Sequence, residues 1–476
     1  MKTLFRTCLK TSRINKTQLT TKLSQSFTAN DKTNIKVIPE VKSTDQKYGN
    51  LLDIGRMGGF HFFLKHYHEK LGPIFYFWVN QDRVVSLGHP KYWRAVSHLS
   101  DKSDKLRLFL KPLFGTEKTI NLANGEERSL RYQKYITPFV SKDVIENKHS
   151  IVIERRLKDL MANIDKVKEH VPVQHHFSLY IMKNMFELLF GIKEFDDKEI
   201  GKLFEYLTFS VINIEIQTLN DKLTPELSKE IQEKITYVHK FLKKAIHDRL
   251  NSDVSGFECL MDLLRGPNDE EVIFTDTSTF FFGSIHTTVT TSSLTLYHLA
   301  TNPDKQEKLQ EELDKVFKDK PINMKTIKDL KYLRACINEA LRITPPVSTS
   351  SRIDNENDIE LPDGYVIPKK TTIATPLALV LTSPDLWNHP EKYSPERFKE
   401  DGLKWPNQYS PFGFAGGRVC PGKNLALLEI QLMLASLFKK YKVSLAKSQG
   451  PLQLHILTGT TIKEDFYIDL KPRSSI

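Results

Sequence analysis

The 476-residue chain reads as mainly α with small β-sheets, and three observations carry that reading. Residues 128–247 keep a helical pattern with few breakers. Residues 272–300 form a long, unusually apolar stretch closed by Asn302-Pro303, where a proline stops the preceding helix. Short β-type runs occur in small groups near residues 73–87, 347–376 and 443–470. The body holds no internal repeat and no linker, so a single domain is expected although the length alone admits about three.

Taken in order, residues 31–50 are polar and linker-like, and residues 51–71 predict one helix. The run Pro73-Ile-Phe-Tyr-Phe-Trp-Val79, a polar break and Val84-Val-Ser-Leu87 predict a hairpin of two short strands. His89-Pro90 opens a further helix. After the long helical region and the apolar helix, residues 303–317 alternate Lys and Glu at the spacing of a charged surface helix. Residues 327–343 predict another helix, stopped by Pro345-Pro346. Pro362-Asp-Gly364 is a turn signal. The last helix is expected over 422–441, with weak strands near 443–445 and 466–470.

The formal net charge is +11. Residues 1–30 supply six basic side chains and no Asp or Glu, so the body is only mildly basic and nucleic acid is not implied. That basic, Ser/Thr-rich start has no secretory apolar core and no run long enough to span a bilayer. Its composition is that of a mitochondrial transit peptide over residues 1–36. The 4 cysteines, Cys8, Cys259, Cys336 and Cys420, show no paired spacing, which argues against a disulfide framework or a zinc site.

The stretch Ser410 to Lys423, SPFGFAGGRVCPGK, concentrates the chemistry. Cys420 lies where a glycine-rich loop feeds a helix, so backbone N–H groups and the helix dipole should favour its thiolate. Gly422 leaves room beside the sulfur, and Arg418 adds positive charge. Such a thiolate suits haem iron, with Arg418 suited to a haem propionate; the plainer reading is a structural cysteine at a helix start. Two weaker signals lie upstream. Glu339-Ala-Leu-Arg342 puts a carboxylate and a guanidinium on one helix face, and Arg397 could complete a buried Glu–Arg–Arg cluster. Gly283-Ser-Ile-His-Thr-Thr288 places small and hydroxylated residues inside the apolar helix. His286 could pass protons there, against the plainer reading of hydroxyls bonded back to the previous turn.

Together these residues resemble the cytochrome P450 superfamily. Gly283 to Thr288 looks like its distal oxygen-activation motif, Glu339-x-x-Arg342 its invariant helix pair, Asp385 to Phe398 the segment before its haem loop, and Gly416-x-Arg418-x-Cys420-x-Gly422 the haem-thiolate loop. The resemblance spans residues 45–476 and implies a single-domain cytochrome P450 fold. Upstream, Tyr48 to Ile54, Leu71-Gly-Pro-Ile and Arg83 to Gly88 are similar to the orphan P450 family 20.

The resemblance implies haem b with Cys420 as the iron's axial ligand. It implies Arg418, Arg352 and Arg131 as propionate partners, with Arg128 behind Arg131, and Phe412 or Phe414 packed beneath the haem. It further implies Thr287 as the hydroxyl at dioxygen, fed by His286, and Glu339, Arg342 and Arg397 as the structural cluster. The implied activity is a monooxygenase placing one oxygen atom from O2 into a small apolar substrate, supplied with electrons by a ferredoxin or an NADPH-P450 reductase. Lys423 is among the basic residues that could guide an acidic donor. A peroxide-driven or rearranging enzyme and a non-catalytic haem sensor or carrier are the alternatives. Peripheral attachment to the matrix side of the mitochondrial inner membrane is expected, or else to the endoplasmic reticulum. Three departures from the family pattern stand out. The aromatic position seven residues before the cysteine is Gly413, the residue before Thr287 is His286 rather than an acid, and Glu127-Arg-Ser-Leu-Arg-Tyr132 lacks the usual tryptophan.

Overall fold

Two short β-forming runs, each burying four consecutive residues, make a hairpin of residues 74–87. In the computed structural model, β1 (Ile74–Val79) pairs antiparallel with β2 (Asp82–Leu87) from Ile74↔Leu87 to Val79↔Asp82. The model describes residues 35–103, 113–114, 118–120, 123–219, 224–253, 256–265, 270–318, 320–398, 403–414, 416–456 and 459–473. The expected transit segment lies almost wholly outside the described residues.

The helices follow the expected order: α1 (Phe60–Leu71), α2 (Gly125–Arg131), α3 (Ser150–Ile164), α4 (Val173–Phe190), α5 (Asp197–Leu219), α6 (Pro225–Leu250), α7 (Glu270–Thr301), α8 (Pro303–Val316), α9 (Lys331–Ile343) and α10 (Lys423–Lys440). One expected helix is split and another starts late. Residues 51–71 break after Leu51–Arg56, because Gly58 and Gly59 take φ of 88° and 121°, angles that side chains resist. The helix expected over 327–343 begins at Lys331, after a separate turn of helix over Met324–Ile327.

The other strands are β3 (Val171–Pro172), β4 (Ser350–Ile353), β5 (Ile359–Glu360), β6 (Val366–Ile367), β7 (Thr372–Thr375), β8 (Tyr441–Leu445), β9 (Leu454–Ile456), β10 (Thr460–Ile462) and β11 (Tyr467–Pro472). One sheet runs β1-β2-β7-β4 and another β3-β11-β8, with two small hairpins, β9-β10 and β5-β6. The β9-β10 hairpin carries no alternation strong enough to read from sequence. Its tip is instead fixed by contact: a side chain at Gly459 would strike the Pro346 carbonyl at 2.1 Å.

The long helix α7 runs through the core against α4, α9 and α10. Its many hydroxyls are tolerated because they bond back along the helix: Thr277 to the Ile273 carbonyl, Thr291 to Thr287 and Ser292 to Thr288, at 2.7–2.8 Å. Phe281 and Phe282 are buried among Phe186, Phe190 and Phe114, so they serve the core. Among the described residues, no helix is long and apolar enough to cross a membrane.

Candidate functional site

The cysteine loop is held by its own backbone. The Cys420 N–H donates to the Phe412 carbonyl at 2.9 Å, and Gly413 N–H to the Ser410 carbonyl at 3.0 Å. Gly413 takes φ 86° and Gly416 φ 96°; a side chain at Gly416 would meet the Ser97 carbonyl at 2.3 Å. Gly422 caps α10, and the N–H groups of Gly422 and Lys423 point at the sulfur. Burial nevertheless outweighs these donors and raises the thiol above its ordinary range. The helix start favours the thiolate as expected from sequence, but burial outweighs it; a bound cation would act in the same direction as the helix start. Cys420 is accessible to solvent although protein surrounds it on nearly all sides. Both hold together where a side chain borders an interior space. Cys259 and Cys336 are buried instead.

The two flanking aromatics diverge. Phe414 is buried against Trp93, ring centres 5.1 Å apart, with the Arg352 guanidinium 5.0 Å from its ring. Phe412 is half-buried and joins the helical core, with Lys423 over its ring. The two phenylalanines flanking Gly413 thus part, one to the sheet side and the other to the helix side.

Four cations gather beside this loop. Arg352 is buried on β4, with Nη1 donating to Ser350 Oγ at 2.9 Å and the Ser351 carbonyl at 2.7 Å, while Nε and Nη2 have no partner. Arg128 donates to the Gly417 carbonyl, and its Nε is also unpartnered. Burial, then Arg128, lowers Arg352 to about 10. Burial, then Arg128 and Arg352, lowers Arg418 to about 10. Burial, then Arg418, Arg352 and Arg128, pushes Lys102 down to about 7. Asp101 acts the other way on Arg418 without reversing the shift, so cations outweigh anions here.

Arg131 is not in this group. Its Nε meets Asp276 at 3.2 Å and Tyr135 at 3.1 Å, Nη1 meets Glu127 at 3.1 Å and Nη2 the Lys118 carbonyl at 2.8 Å. Arg128, expected behind Arg131, is the α2 arginine that reaches the cysteine loop. The two are neighbours on α2, and the difference is one of tertiary contact: the buried carboxylate of Asp276 captures the later one. Arg418, expected at a propionate, has Nε on the Ser100 carbonyl at 2.5 Å and Nη2 on the Ala123 carbonyl and Asn124 Oδ1 at 2.5 and 2.9 Å. Its donors clamp loops together.

On α7, Gly283 is exposed in mid-helix and a side chain there would meet nothing within 4 Å, so this face too borders open space. Thr287, one turn on, donates to the Gly283 carbonyl at 2.7 Å. His286 Nε2 lies 3.0 Å from Thr461 Oγ1 on β10. Burial pushes the imidazole down to about 4, so it is neutral at pH 7. Sequence reasoning paired His286 with Thr287; the structure ties it to the β9-β10 hairpin.

Glu339, Arg342 and Arg397 do come together. Arg342 grips Glu339 with Nε at 2.9 Å and Nη2 at 3.0 Å, and Arg397 Nε adds a bond at 2.8 Å. Both members of the helix pair are fully buried. The remaining donors take the Leu381, Pro390 and Asn388 carbonyls at 2.7–3.0 Å. The cluster pins the segment before the cysteine loop to α9.

Unpaired guanidinium N–H groups in an anion-poor pocket, close to a cysteine that borders an interior space, fit a flat dianionic cofactor with a thiolate-seeking metal. The fold and the site thus define a haem-thiolate protein. The sequence model of the family described as Cytochrome P450 matches residues 45–467, and the chain belongs to that family; haem, bound through a cysteine thiolate, is its cofactor. Similar proteins include Cytochrome P450 20A1 of Bos taurus, 26% identical over 92% of this chain and 93% of that protein, and of Homo sapiens, 24% identical over the same shares. The mitochondrial 1,25-dihydroxyvitamin D(3) 24-hydroxylase of Mus musculus is 27% identical over 86% of this chain and 84% of its own length. Lys102, Asp276 and Thr461 carry no local signal: each is a common residue in an ordinary context, picked out only by its neighbours in the fold.

Proposed function

We propose that the protein is a monooxygenase placing one oxygen atom from dioxygen into a small apolar organic substrate with electrons from an external donor. The observation that supports it most is Cys420, accessible within the protein interior at the start of α10 and flanked by cations with unpaired donors. Cys420 Sγ is assigned to the iron, and Arg352 and Arg128 to the propionates. When bound, the haem supplies dioxygen activation assisted by electron donation from the thiolate. The protein's own part is to bind, to exclude water and to deliver protons. Thr287 is the hydroxyl placed to hold a proton near the reacting oxygen, since it lies on the open face beside Gly283. His286, neutral and joined to Thr461, fixes the β9-β10 hairpin beside that face.

That arrangement also favours a second reading. With His286 rather than an acid before Thr287, oxidation driven by peroxide, which needs fewer delivered protons, would suit the same pocket. Purified protein separates the two: oxygen uptake with a reductase system and NADPH supports the first, and product formation with peroxide alone supports the second. The cytochrome domain is assigned to residues 45–476 behind a transit segment over 1–36. A matrix-facing inner-membrane location with a ferredoxin donor is supported by the basic, acid-free start and by the mitochondrial relative. An endoplasmic reticulum location would pair it with an NADPH-P450 reductase.

Cys420→Ser is the direct test. The ferrous–CO complex of the wild type is expected to show the red-shifted Soret band of thiolate ligation, and the variant to lose it. A variant that keeps the band would remove Cys420 from the iron.

A further inference from the structure

Asp276 lies on α7 eleven residues, about three turns, before Thr287. It is fully buried, and the polar groups that reach it are donors. Ile120 N–H reaches Oδ1 at 2.9 Å, while Arg131 Nε, at 3.2 Å, and the Tyr135 hydroxyl meet Oδ2. A second tie joins the same places, with Thr119 Oγ1 at 2.5 Å from Thr279 Oγ1 on α7. A third joins Arg131 Nη2 to the Lys118 carbonyl. With the Lys118 Nζ–Glu271 ion pair at 2.6 Å, residues 118–120 are therefore bound to α7 and α2 at four points.

The same short segment holds the cysteine loop from its other side. The Ile120 carbonyl accepts from Arg418 Nη1 at 3.4 Å, and the Ala123 carbonyl and Asn124 Oδ1 accept from Nη2. Asn124 also exchanges two bonds with the backbone of Lys102, at 3.0 and 2.9 Å. Arg418 stands two residues before Cys420. A continuous set of bonds thus runs from a carboxylate on α7, through residues 118–124 at their described positions, to the arginine of the cysteine loop.

We infer that Asp276 is a positioning residue for the haem-binding loop, acting through Ile120 and Arg418. The inference rests on the assignment of Cys420 to the iron. Its role differs from that of a simple helix tie, because its effect must vanish when Arg418 can no longer make its fork of bonds.

A double-mutant cycle reads this out. The measurements are the rate of haem loss to a haem-scavenging apoprotein and the share of the ferrous–CO complex in the thiolate band. A wild type without that band overturns the Cys420 assignment, and this inference with it, before any variant is compared. With the band present, Asp276→Asn is expected to speed haem loss roughly tenfold, the scale of one charge-assisted hydrogen bond, and to move part of the band to the blue. On an Arg418→Lys background the same change should alter the rate less than about twofold. Full multiplication of the two effects, or an Asp276→Asn protein identical to wild type, overturns the inference. Should Asp276→Asn yield no holoprotein, Tyr135→Phe keeps the ring and removes one donor. It should give about a threefold effect with the same loss of effect beside Arg418→Lys, and multiplication would again overturn the inference.

Discussion

Arg352 and Thr287 show how much a single side chain's surroundings decide. Arg352 carries two unpaired donors in a buried position, and a buried donor without a partner costs about 1–3 kcal/mol. Binding an anion recovers that cost. Arg352→Leu is therefore expected to weaken haem retention by roughly tenfold to a hundredfold, measured as transfer to a scavenging apoprotein; unchanged retention would move the propionate elsewhere. Thr287→Ala is expected to raise hydrogen peroxide release relative to product by severalfold, a change in proton delivery within the usual range for one positioned group. Equal coupling in the two proteins would mean that protons arrive by another route. At this scale Cys420 was legible, since its loop and helix start are local features. The choice of Arg128 over Arg131 was not: it depends on which of the two Asp276 captures.

At the scale of elements, α9 and the segment before the cysteine loop are joined by one carboxylate. Glu339 accepts from both Arg342 and Arg397 while fully buried. Removing one member of such a cluster leaves charges uncompensated and costs about 3–5 kcal/mol. Glu339→Gln is expected to lower the urea midpoint accordingly and to reduce the yield of haem-loaded protein. A midpoint within error of wild type would show that the cluster is dispensable. The helix pair was readable because i, i+3 spacing is a local rule; the third member, on a distant segment, could only be suggested. The β9-β10 hairpin was missed for the opposite reason. Its strands are short, and contacts with Pro346 and His286 hold it, so propensity carries little of its signal.

Across the molecule, burial leaves a set of titrating groups with a net pH dependence. His68, His149, His176, His286 and His298 are each pushed down to about 4, burial being the first cause every time. Between about pH 6.5 and 4 the unfolded chain binds protons that the folded chain refuses. Stability therefore rises with pH across that window and is lost as pH falls through it, by up to about 1.4 kcal/mol per pH unit for each histidine. Glu429 has the opposite sign. Burial pushes it up to about 8 against a bond from Asn184 at 2.9 Å, so its contribution declines as pH rises from its unfolded value toward 8. Asp276, raised to about 6, opposes the histidines in the lower part of the window. Five groups against two leaves the acid limb steep. The urea midpoint is expected to fall sharply from about pH 6.5 to pH 5 and to change little between pH 7 and 8, where Lys102, pushed down to about 7, acts against Glu429. Equal midpoints at pH 5 and 7 would refute the histidine burial.

The sequence by itself determined the fold class, the order of the long helices, the cysteine loop and the family resemblance, because periodicity, breakers and motif spacing act over a few residues. Tertiary structure alone decided which arginines face the cysteine pocket, where His286 bonds, how Phe412 and Phe414 part, and what Asp276 holds. Each of those outcomes is a competition among partners far apart in the chain, settled by burial and geometry after the helices have packed.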